Sequence, residues 1–452
     1  MRNNIKKKIK ESLRNKKILI LGFGREGQDS YFVLRKLFPQ RIFDISDRLE
    51  LSKFSKKIQK ILKSDKKLKL HLGGNYLKSL KNYDFVIKTP GIPPRILKPF
   101  LKKGVELTSQ TKIFFEYCPG KIIGVTGTKG KGTTTSLIYQ ILKKGDLKVH
   151  LIGNVGKPVF QALLEAKKSD IFVYELSSHQ LQNIKKSPNI AVLLNIYPEH
   201  LDYYKNFREY QKAKENITLH QKRGDYFIYN RDQKILREIA KKTKAQKISF
   251  SLKAKIIDLK KKDIPLKGKF NILNIMAAVL VAKVLNIPAS KIKKAIKSFK
   301  PLPHRLEFVG KYKEIKFYND SLATTPQSTQ GAIEALNNKV ETLILGGLDR
   351  GGVDFSDLAK KILKSKIKTL ILFPDTGIKI WQEITLLKKA RSLKAFFTRA
   401  MKEAVKIAYK KTGKGKICLL SPAAASFNLF RDFKERGDLF KKYIKYYAKK
   451  SS

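Results

Sequence analysis

The densest chemistry in this sequence lies in one run: Gly124, Val125, Thr126, Gly127, Thr128, Lys129, Gly130, Lys131, Gly132, Thr133 and Thr134. It follows the apolar stretch KII and leads into TSLIYQIL, so it reads as a strand, a glycine-rich turn and a helix. Glycines let successive backbone N–H groups close on phosphate oxygens, and a helix N-terminus adds the positive end of its dipole. Lys131 would reach the β- and γ-phosphates of a nucleotide, and a threonine hydroxyl would help to hold Mg²⁺. Ser or Thr usually follows such a lysine directly; here Gly132 intervenes, which makes Thr133 the candidate magnesium ligand. A glycine-rich turn with no ligand is the bland alternative, and the strand–loop–helix setting weighs against it.

A second glycine pattern comes earlier. Gly22, Gly24 and Gly27 form G-x-G-x-x-G after the apolar KKILIL, and Asp44 falls at the end of the next apolar run, seventeen residues beyond Gly27. Read alone, this is the dinucleotide fingerprint of a nicotinamide oxidoreductase. Seating a pyrophosphate on a helix N-terminus serves a UDP-sugar equally well. A phosphate loop one domain later has no ready place in a simple dehydrogenase. Nucleotide-sugar binding is therefore preferred, with a nicotinamide cofactor as the rival.

The elements that must carry these loops are legible as apolar runs. KKILILGFG, RIFDIS and YDFVIK read as strands of a first segment, KIIGVT, DIFVYELSS and NIAVLLNI as strands of a second, and KVETLILGG, IKTLILFP and GKICLLSP as strands of a third. Helical stretches lie between them, which predicts parallel sheets with crossover helices. A length of 452 residues also suits about three domains. The expected fold is α/β with three mostly parallel sheets: a Rossmann-like domain at 1–112, a central ATP-binding P-loop domain at 113–299 and a Rossmann-like C-terminal domain at 300–452.

The formal charge is +60, from 97 Lys and Arg against 37 Asp and Glu. The excess is mostly lysine, scattered in short runs along the whole chain. Specific nucleic-acid readers use arginine forks and interleaved aromatics, and neither pattern is present, so a solvated basic surface is expected and no specific nucleic-acid partner. Anionic substrates would still gain from the field. Cys118 and Cys418 form neither a metal-ligand spacing nor a disulfide framework. The basic start, MRNNIKKKIKESLRNKK, has no signal-peptide apolar run, and nothing approaches the roughly 20 apolar residues of a membrane span. A cytoplasmic monomer is expected.

Further segments follow the phosphate loop in order. They are Gly153 to Gly156 (GNVG), ELSSHQL from Glu175, LNIYPEHLD from Leu194, Ala213 with Lys214, Asn271 and Asn274 in FNILNIMAA, and His304 with Arg305. Asn319, Asp320 and Ser321, then Gly346, Gly347 and Arg350, and finally SPAAASFNLFRDFKERG complete the series. Together with both glycine loops, this order and spacing resembles the Mur ligase family, over nearly the whole chain. ELSSHQL and SPAAASFNLFRDFKERG look like its D-glutamate-adding member, and LGFGREGQ with TPGIPP like that member's UDP-binding domain. Folylpolyglutamate synthase, a sibling whose loop typically reads GKGS, lacks such a domain. The alternative is another Mur-type or folylpolyglutamate-synthase-like ligase.

The resemblance implies an ADP-forming ligase of peptidoglycan precursor synthesis. ATP would phosphorylate the carboxylate of UDP-N-acetylmuramoyl-L-alanine, and the D-glutamate amine would then attack the acyl phosphate. Lys131, Glu175, His200 and Lys214 are the implied catalytic residues. Mg²⁺ would be held by Thr133, Glu175, His200 and Lys214, the lysine as a carbamate whose reversed charge suits a metal cluster. Asn154, Ser177 and Ser178 would contact the UDP-muramoyl substrate. Asn271, Arg305 and Asp320 would hold the adenine and ribose. Thr324, Arg350, Ser426 and the backbone of Phe433 would bind the D-glutamate carboxylates. Arg350 stands where lysine is common, and its planar fork suits a carboxylate. Leu322 stands where some members carry lysine, so an ionic contact is absent there. The bland alternatives are a strand-end carboxylate for Glu175, a loop histidine for His200 and a surface residue for Lys214. A site assembled from three domains also implies closure that keeps water from the acyl phosphate.

Overall fold

The computed structural model describes residues 2–154, 156–254, 256, 258–259, 263–336, 339–387 and 393–449. Val155 of the GNVG segment lies outside the described residues. Among the described residues, strands fall into three sheets.

The first sheet contains β1 (Ile18–Leu21), β2 (Phe43–Asp47), β3 (Leu68–Leu72), β4 (Phe85–Lys88) and β5 (Glu106–Thr108), in the order β3-β2-β1-β4-β5. Every pairing is parallel. The central strands ILIL and FVIK are buried on both faces, as a sheet covered by crossover helices demands. Strand order reverses between β1 and β4, which opens a crevice at their carboxyl ends, and there the first glycine loop emerges. Gly22 has φ +88°, and a Cβ there would collide with the Thr89 hydroxyl; a Cβ on Gly27 would collide with the Gly22 carbonyl. The loop thus closes only with glycine at both positions.

The acidic residue at the end of β2 is Asp47, not Asp44. β2 runs three residues further than the apolar pattern suggests, and Asp44 lies inside it, accepting the Tyr83 hydroxyl and meeting His71 Nε2 at 3.0 Å. Asp47 accepts the Phe23 N–H of the glycine loop at 2.5 Å.

The second sheet contains β6 (Lys121–Thr126), β7 (Val149–Gly153), β8 (Ile171–Glu175), β9 (Ile190–Leu193), β10 (Tyr226–Asn230) and β11 (Gln246–Phe250). Its order is β11-β10-β9-β6-β8-β7, again all parallel. These two sheets share one compact unit, formed by 1–196, 203–251 and 277–292. One continuous apolar core joins them. Phe114 and Phe115, on the helix Gln110–Tyr117, pack edge-on and stacked against Tyr174 of β8. Residue 112, the expected end of the first domain, lies in this helix, whose apolar face belongs to the shared core. The basic N-terminal stretch is also used for packing: the helix Arg2–Ser12 and the residue after it bury Ile5, Ile9 and Leu13, one apolar face at four-residue spacing.

The second unit is formed by 197–202, 252–276 and 293–452. Its sheet contains β12 (Glu307–Tyr312), β13 (Ile315–Asn319), β14 (Val340–Gly347), β15 (Thr369–Asp375), β16 (Lys394–Phe397) and β17 (Ile417–Leu420), in the order β12-β13-β17-β14-β15-β16. β12 alone among these is antiparallel to its neighbour. Among the described residues, no helix is long and apolar enough to cross a membrane.

Within the first unit a polar junction ties the first glycine loop to the second sheet. The Glu26 carboxylate accepts from Gln180 Nε2 at 2.7 Å, and Gln110 Nε2 donates to the Glu26 carbonyl at 2.9 Å. Arg25 donates to the carbonyls of Asn154 and Gly156 at 3.0 and 2.8 Å. Burial pushes the Glu26 carboxyl up to about 7, although Gln180 and nearby Lys88 pull the other way. Burial pulls Lys88 down to about 8. Between about pH 4.5 and 7 the unfolded chain releases the Glu26 proton while the folded chain keeps it. The stabilising contribution is full below pH 4.5 and is lost as pH rises through 7. Urea unfolding of Glu26→Gln should therefore show a shallower fall in stability across this window than the wild type; parallel curves would mean that Glu26 does not retain its proton.

Candidate active site

The phosphate loop leaves the end of β6 and enters the helix Lys131–Lys144. Gly130, the residue before that helix, takes a left-handed conformation with φ +88°, open to glycine at little cost. Asn195, just beyond β9, holds the loop. Its side chain accepts the Lys129 N–H at 2.8 Å and donates to the Lys129 carbonyl at 3.0 Å, and its own carbonyl takes the Thr128 N–H at 2.9 Å. The Thr128 hydroxyl pairs with Tyr210 at 2.8 Å. Lys131 Nζ folds back onto the carbonyls of Gly127 and Thr128, at 2.9 and 3.0 Å, so the ammonium stands at the mouth of the loop.

Gly124 lies inside β6 rather than in the turn. A Cβ there would sit 2.7 Å from Pro188 and 2.9 Å from Leu176, so its smallness serves packing. Thr133 and Thr134 are both buried, and the Thr134 hydroxyl has no hydrogen-bond partner.

Lys214, on the helix Phe207–Leu219, is 1% exposed, which removes the surface reading. Its Nζ donates to the Gly127 carbonyl at 3.0 Å and lies 4.9 Å from the Tyr210 ring centre. Thus it reaches the same carbonyl as Lys131. Glu175 ends β8 in register with Val125, beside the root of the loop, and is buried with Oε2 lacking a hydrogen-bond partner.

The residues expected to contact the sugar-nucleotide sit around the polar junction. Ser177 caps the short helix Ser178–Leu181 in a reciprocal box with Gln180, while Ser178 is buried. Asn154 is exposed, its carbonyl held by Arg25.

In the second unit, Glu199, His200, Thr324, Thr325, Arg350 and Ala423–Ala425 line one recess. His200 has φ +59°, and its Nδ1 lies 3.3 Å from an Arg350 guanidinium nitrogen. Thr324 donates to Glu199 at 3.0 Å. The Arg350 guanidinium lies 5.6 Å from the Phe427 ring centre, and among the described residues no carboxylate pairs with it. Ser426 follows the alanine wall and is buried; its carbonyl accepts the Phe430 N–H at 2.9 Å. Phe433 begins the helix Phe433–Lys449, and its carbonyl accepts the Ser321 hydroxyl at 2.8 Å.

The residues expected around the adenine and ribose are also in this unit. The Asp320 carboxylate accepts the Leu306 N–H at 3.0 Å and the Ser421 hydroxyl at 2.9 Å. Arg305 is flanked by His304 and Leu306, both with positive φ. Asn271 donates to the Lys267 carbonyl at 2.7 Å and accepts from Asn274 at 3.1 Å. Among the described residues, no group of three or more His, Cys, Asp and Glu side chains forms a metal cluster.

Sequence reasoning gave no role to Asn195, Glu26, Gln180, Asp47 or Arg436. Asn195 stood in a quoted motif, and Glu26 in the first glycine loop, but polar clamps leave no periodic trace.

Comparison with known proteins gives the family. Residues 125–264 match the family described as Mur ligase middle domain, and residues 304–424 that described as Mur ligase, glutamate ligase domain. UDP-N-acetylmuramoylalanine--D-glutamate ligase of Acetivibrio thermocellus is 35% identical over 470 residues, covering 98% of each chain. The protein of that name from Clostridium tetani is 36% identical over 461 residues, covering 97% of this chain and 98% of its own. The MurF ligase of Thermotoga maritima in complex with ADP shares the fold, with TM-score 0.62 at 16% identity over 95% of each chain. UDP-N-acetylmuramate-alanine ligase MurC of Thermotoga maritima does so with TM-score 0.59 at 17% identity, covering 96% of this chain and 99% of its own. The fold and phosphate loop define an ATP-dependent ligase that forms amide bonds. The chain belongs to the Mur ligase family, the ligases of peptidoglycan synthesis.

Lys131 is held by two loop carbonyls rather than by a core, so Lys131→Ala should retain the wild-type circular dichroism and melting profile. If the Lys131 charge serves the transferring phosphoryl group, as the loop motif leads one to expect, kcat should fall by at least about 100-fold. A near-normal kcat would exclude Lys131 from phosphoryl transfer.

Proposed function

We propose that this ligase joins D-glutamate to UDP-N-acetylmuramoyl-L-alanine, spending ATP through an acyl phosphate. The supporting observation is the recess holding Thr324 and Arg350, where a planar guanidinium that, among the described residues, pairs with no carboxylate stands beside Ala423–Ala425. Such a fork favours a carboxylate ligand, and the relatives matched along almost the whole chain carry the name of this reaction. ATP and a nucleotide-linked sugar as co-substrates place the work in the cytoplasm.

In this reading the loop amides from Gly127 to Thr134, with Asn271, Arg305 and Asp320, hold ATP, and Lys131 neutralises its terminal phosphates. The muramoyl carboxylate, oriented by Asn154, Ser177 and Ser178, attacks the γ-phosphorus, and ADP leaves. The D-glutamate amine, its carboxylates held by Thr324, Arg350, Ser426 and the Phe433 backbone, attacks the acyl carbon. Phosphate departs from the tetrahedral intermediate as the amide forms.

The residues fit Mg²⁺. Glu175 Oε2 and Thr134 Oγ1 are buried oxygens without hydrogen-bond partners, the hard ligand type this ion takes. Thr133, His200 and Lys214 complete the proposed set, Lys214 as a carbamate formed from its amine and CO₂ with loss of a proton. When bound, the ion would offset the charge of two anions brought together.

Phosphate release should require the UDP-muramoyl substrate and rise with D-glutamate but not with L-glutamate. Equal stimulation by L-lysine or a folate would sink the D-glutamate assignment while sparing the family. Lys214→Ala should lose most activity, and added acetate or formate should partly restore it by supplying the missing oxygen ligand. Full activity without any added acid would rule the carbamate out.

A further inference from the structure

Arg436, in the helix Phe433–Lys449, is fully buried, and among the described residues it is the bulkiest side chain with no access to solvent. Its donors meet only neutral oxygens. Nε donates to the Ser321 hydroxyl at 3.1 Å, and one terminal nitrogen to the carbonyls of Ser321 and Ala424 at 2.8 and 3.1 Å. The other terminal nitrogen, Nη1, has no partner. Among the described residues no carboxylate faces this cation. Burial pulls the guanidinium down to about 9, which leaves it charged at neutral pH. A buried charge with neither counter-ion nor full hydrogen bonding is costly. Three oxygens are held, but a fourth donor position, Nη1, is left over, so hydrogen bonding alone does not use the whole guanidinium.

Its position suggests a use. Ala424 lines the recess that holds Thr324 and Arg350, as do Ala423, Ala425 and Leu348. Gly347, just before Leu348, lies so near that a Cβ on it would be 3.1 Å from Nη1. Arg436 therefore braces the very segments that wall the recess. The alanine and leucine side chains next to it carry no dipole, while the Glu199 and Asp349 carboxylates on the rest of the lining oppose an anionic ligand, so the recess needs positive charge beyond the Arg350 fork.

We propose that Arg436 is a specificity-determining residue: its buried charge makes the recess prefer an amino acid with an acidic side chain over the uncharged isostere. The proposal rests on the D-glutamate reading and deepens it. Arg350 supplies the exposed fork, and Arg436 the background potential behind the wall.

The test uses the full chain with ATP and UDP-N-acetylmuramoyl-L-alanine, comparing D-glutamate with D-glutamine in the wild type, Arg436→Gln and Arg436→Lys. Arg436→Gln keeps amide donors but no charge. Its KM for D-glutamate should rise about tenfold, and the preference for D-glutamate over D-glutamine should fall by a similar factor. Its KM for ATP should stay within about twofold. Its melting temperature should not drop, since a desolvated charge has been removed. Arg436→Lys should recover most of the preference. An unchanged preference in Arg436→Gln, at whatever overall rate, would make Arg436 a structural clamp and overturn the proposal. Should Arg436→Gln fail to fold, Arg436→Lys decides: loss of the preference with the charge retained would overturn it equally. A wild type that favours an uncharged amino acid would refute the underlying D-glutamate reading, a result seen before any variant is made.

Discussion

Two hydrogen bonds between the Asn195 side chain and the N–H and carbonyl of Lys129 hold the phosphate loop, with a third from Thr128 to the Asn195 carbonyl. An amide is the one side chain of this length that offers donor and acceptor together, so it can bind a peptide unit as a β-neighbour would. It does so at the end of β9, the strand paired with β6 from which the loop departs. The loop is consequently anchored to the sheet on both sides before any ligand arrives. Backbone amides aimed at a phosphate must be set in advance, because reorganising them during the reaction would cost what their dipoles supply.

The buried cations also hold backbone segments in place, each within its own unit. A lysine-rich surface lies in water, where its ammonium groups are screened and interchangeable. Lys88, Lys214 and Arg436 are withdrawn from it, each less than a tenth exposed and each donating to backbone carbonyls. Glu26 is the acidic counterpart, held between the two sheets of the first unit by Gln180, which in turn caps Ser177. The chain Glu26, Gln180, Ser177 leads to Leu176, whose carbonyl takes the Thr126 hydroxyl at 2.8 Å. One polar path therefore runs from the first glycine loop to the root of the phosphate loop.

Glycine serves two opposite ends in these loops. At Gly22 and Gly130 the backbone takes a left-handed turn that exposes amides. At Gly124 and Gly27 the missing side chain only makes room, for Pro188 and Leu176 in one case and for the Gly22 carbonyl in the other. A motif written in glycines does not distinguish these uses, and the sheet register does.

What the sequence determined by itself was what local pattern can carry. Both glycine loops were legible because in each a strand, a glycine turn and a helix follow one another directly along the chain. The inner strands β1, β4, β6, β8, β9, β14, β15 and β17 were legible because a sheet covered on both faces demands unbroken apolar runs. Strands β3, β5, β7 and β16 lie toward sheet edges, where half-exposed positions admit residues such as Lys69 and His71 and the run is broken. The end of β2 was lost for a related reason: Asp44 looks like a terminus until Tyr83 and His71, from distant parts of the chain, satisfy it inside the sheet. Lys214 was set apart only by the family resemblance; local pattern left it one lysine among many, and the fold buries it against Gly127. Arg436 was the hardest to foresee. Among the described residues it has no counter-ion, and only the three-dimensional packing of Ser321, Ala424 and Gly347 around it decides what a buried charge has for neighbours.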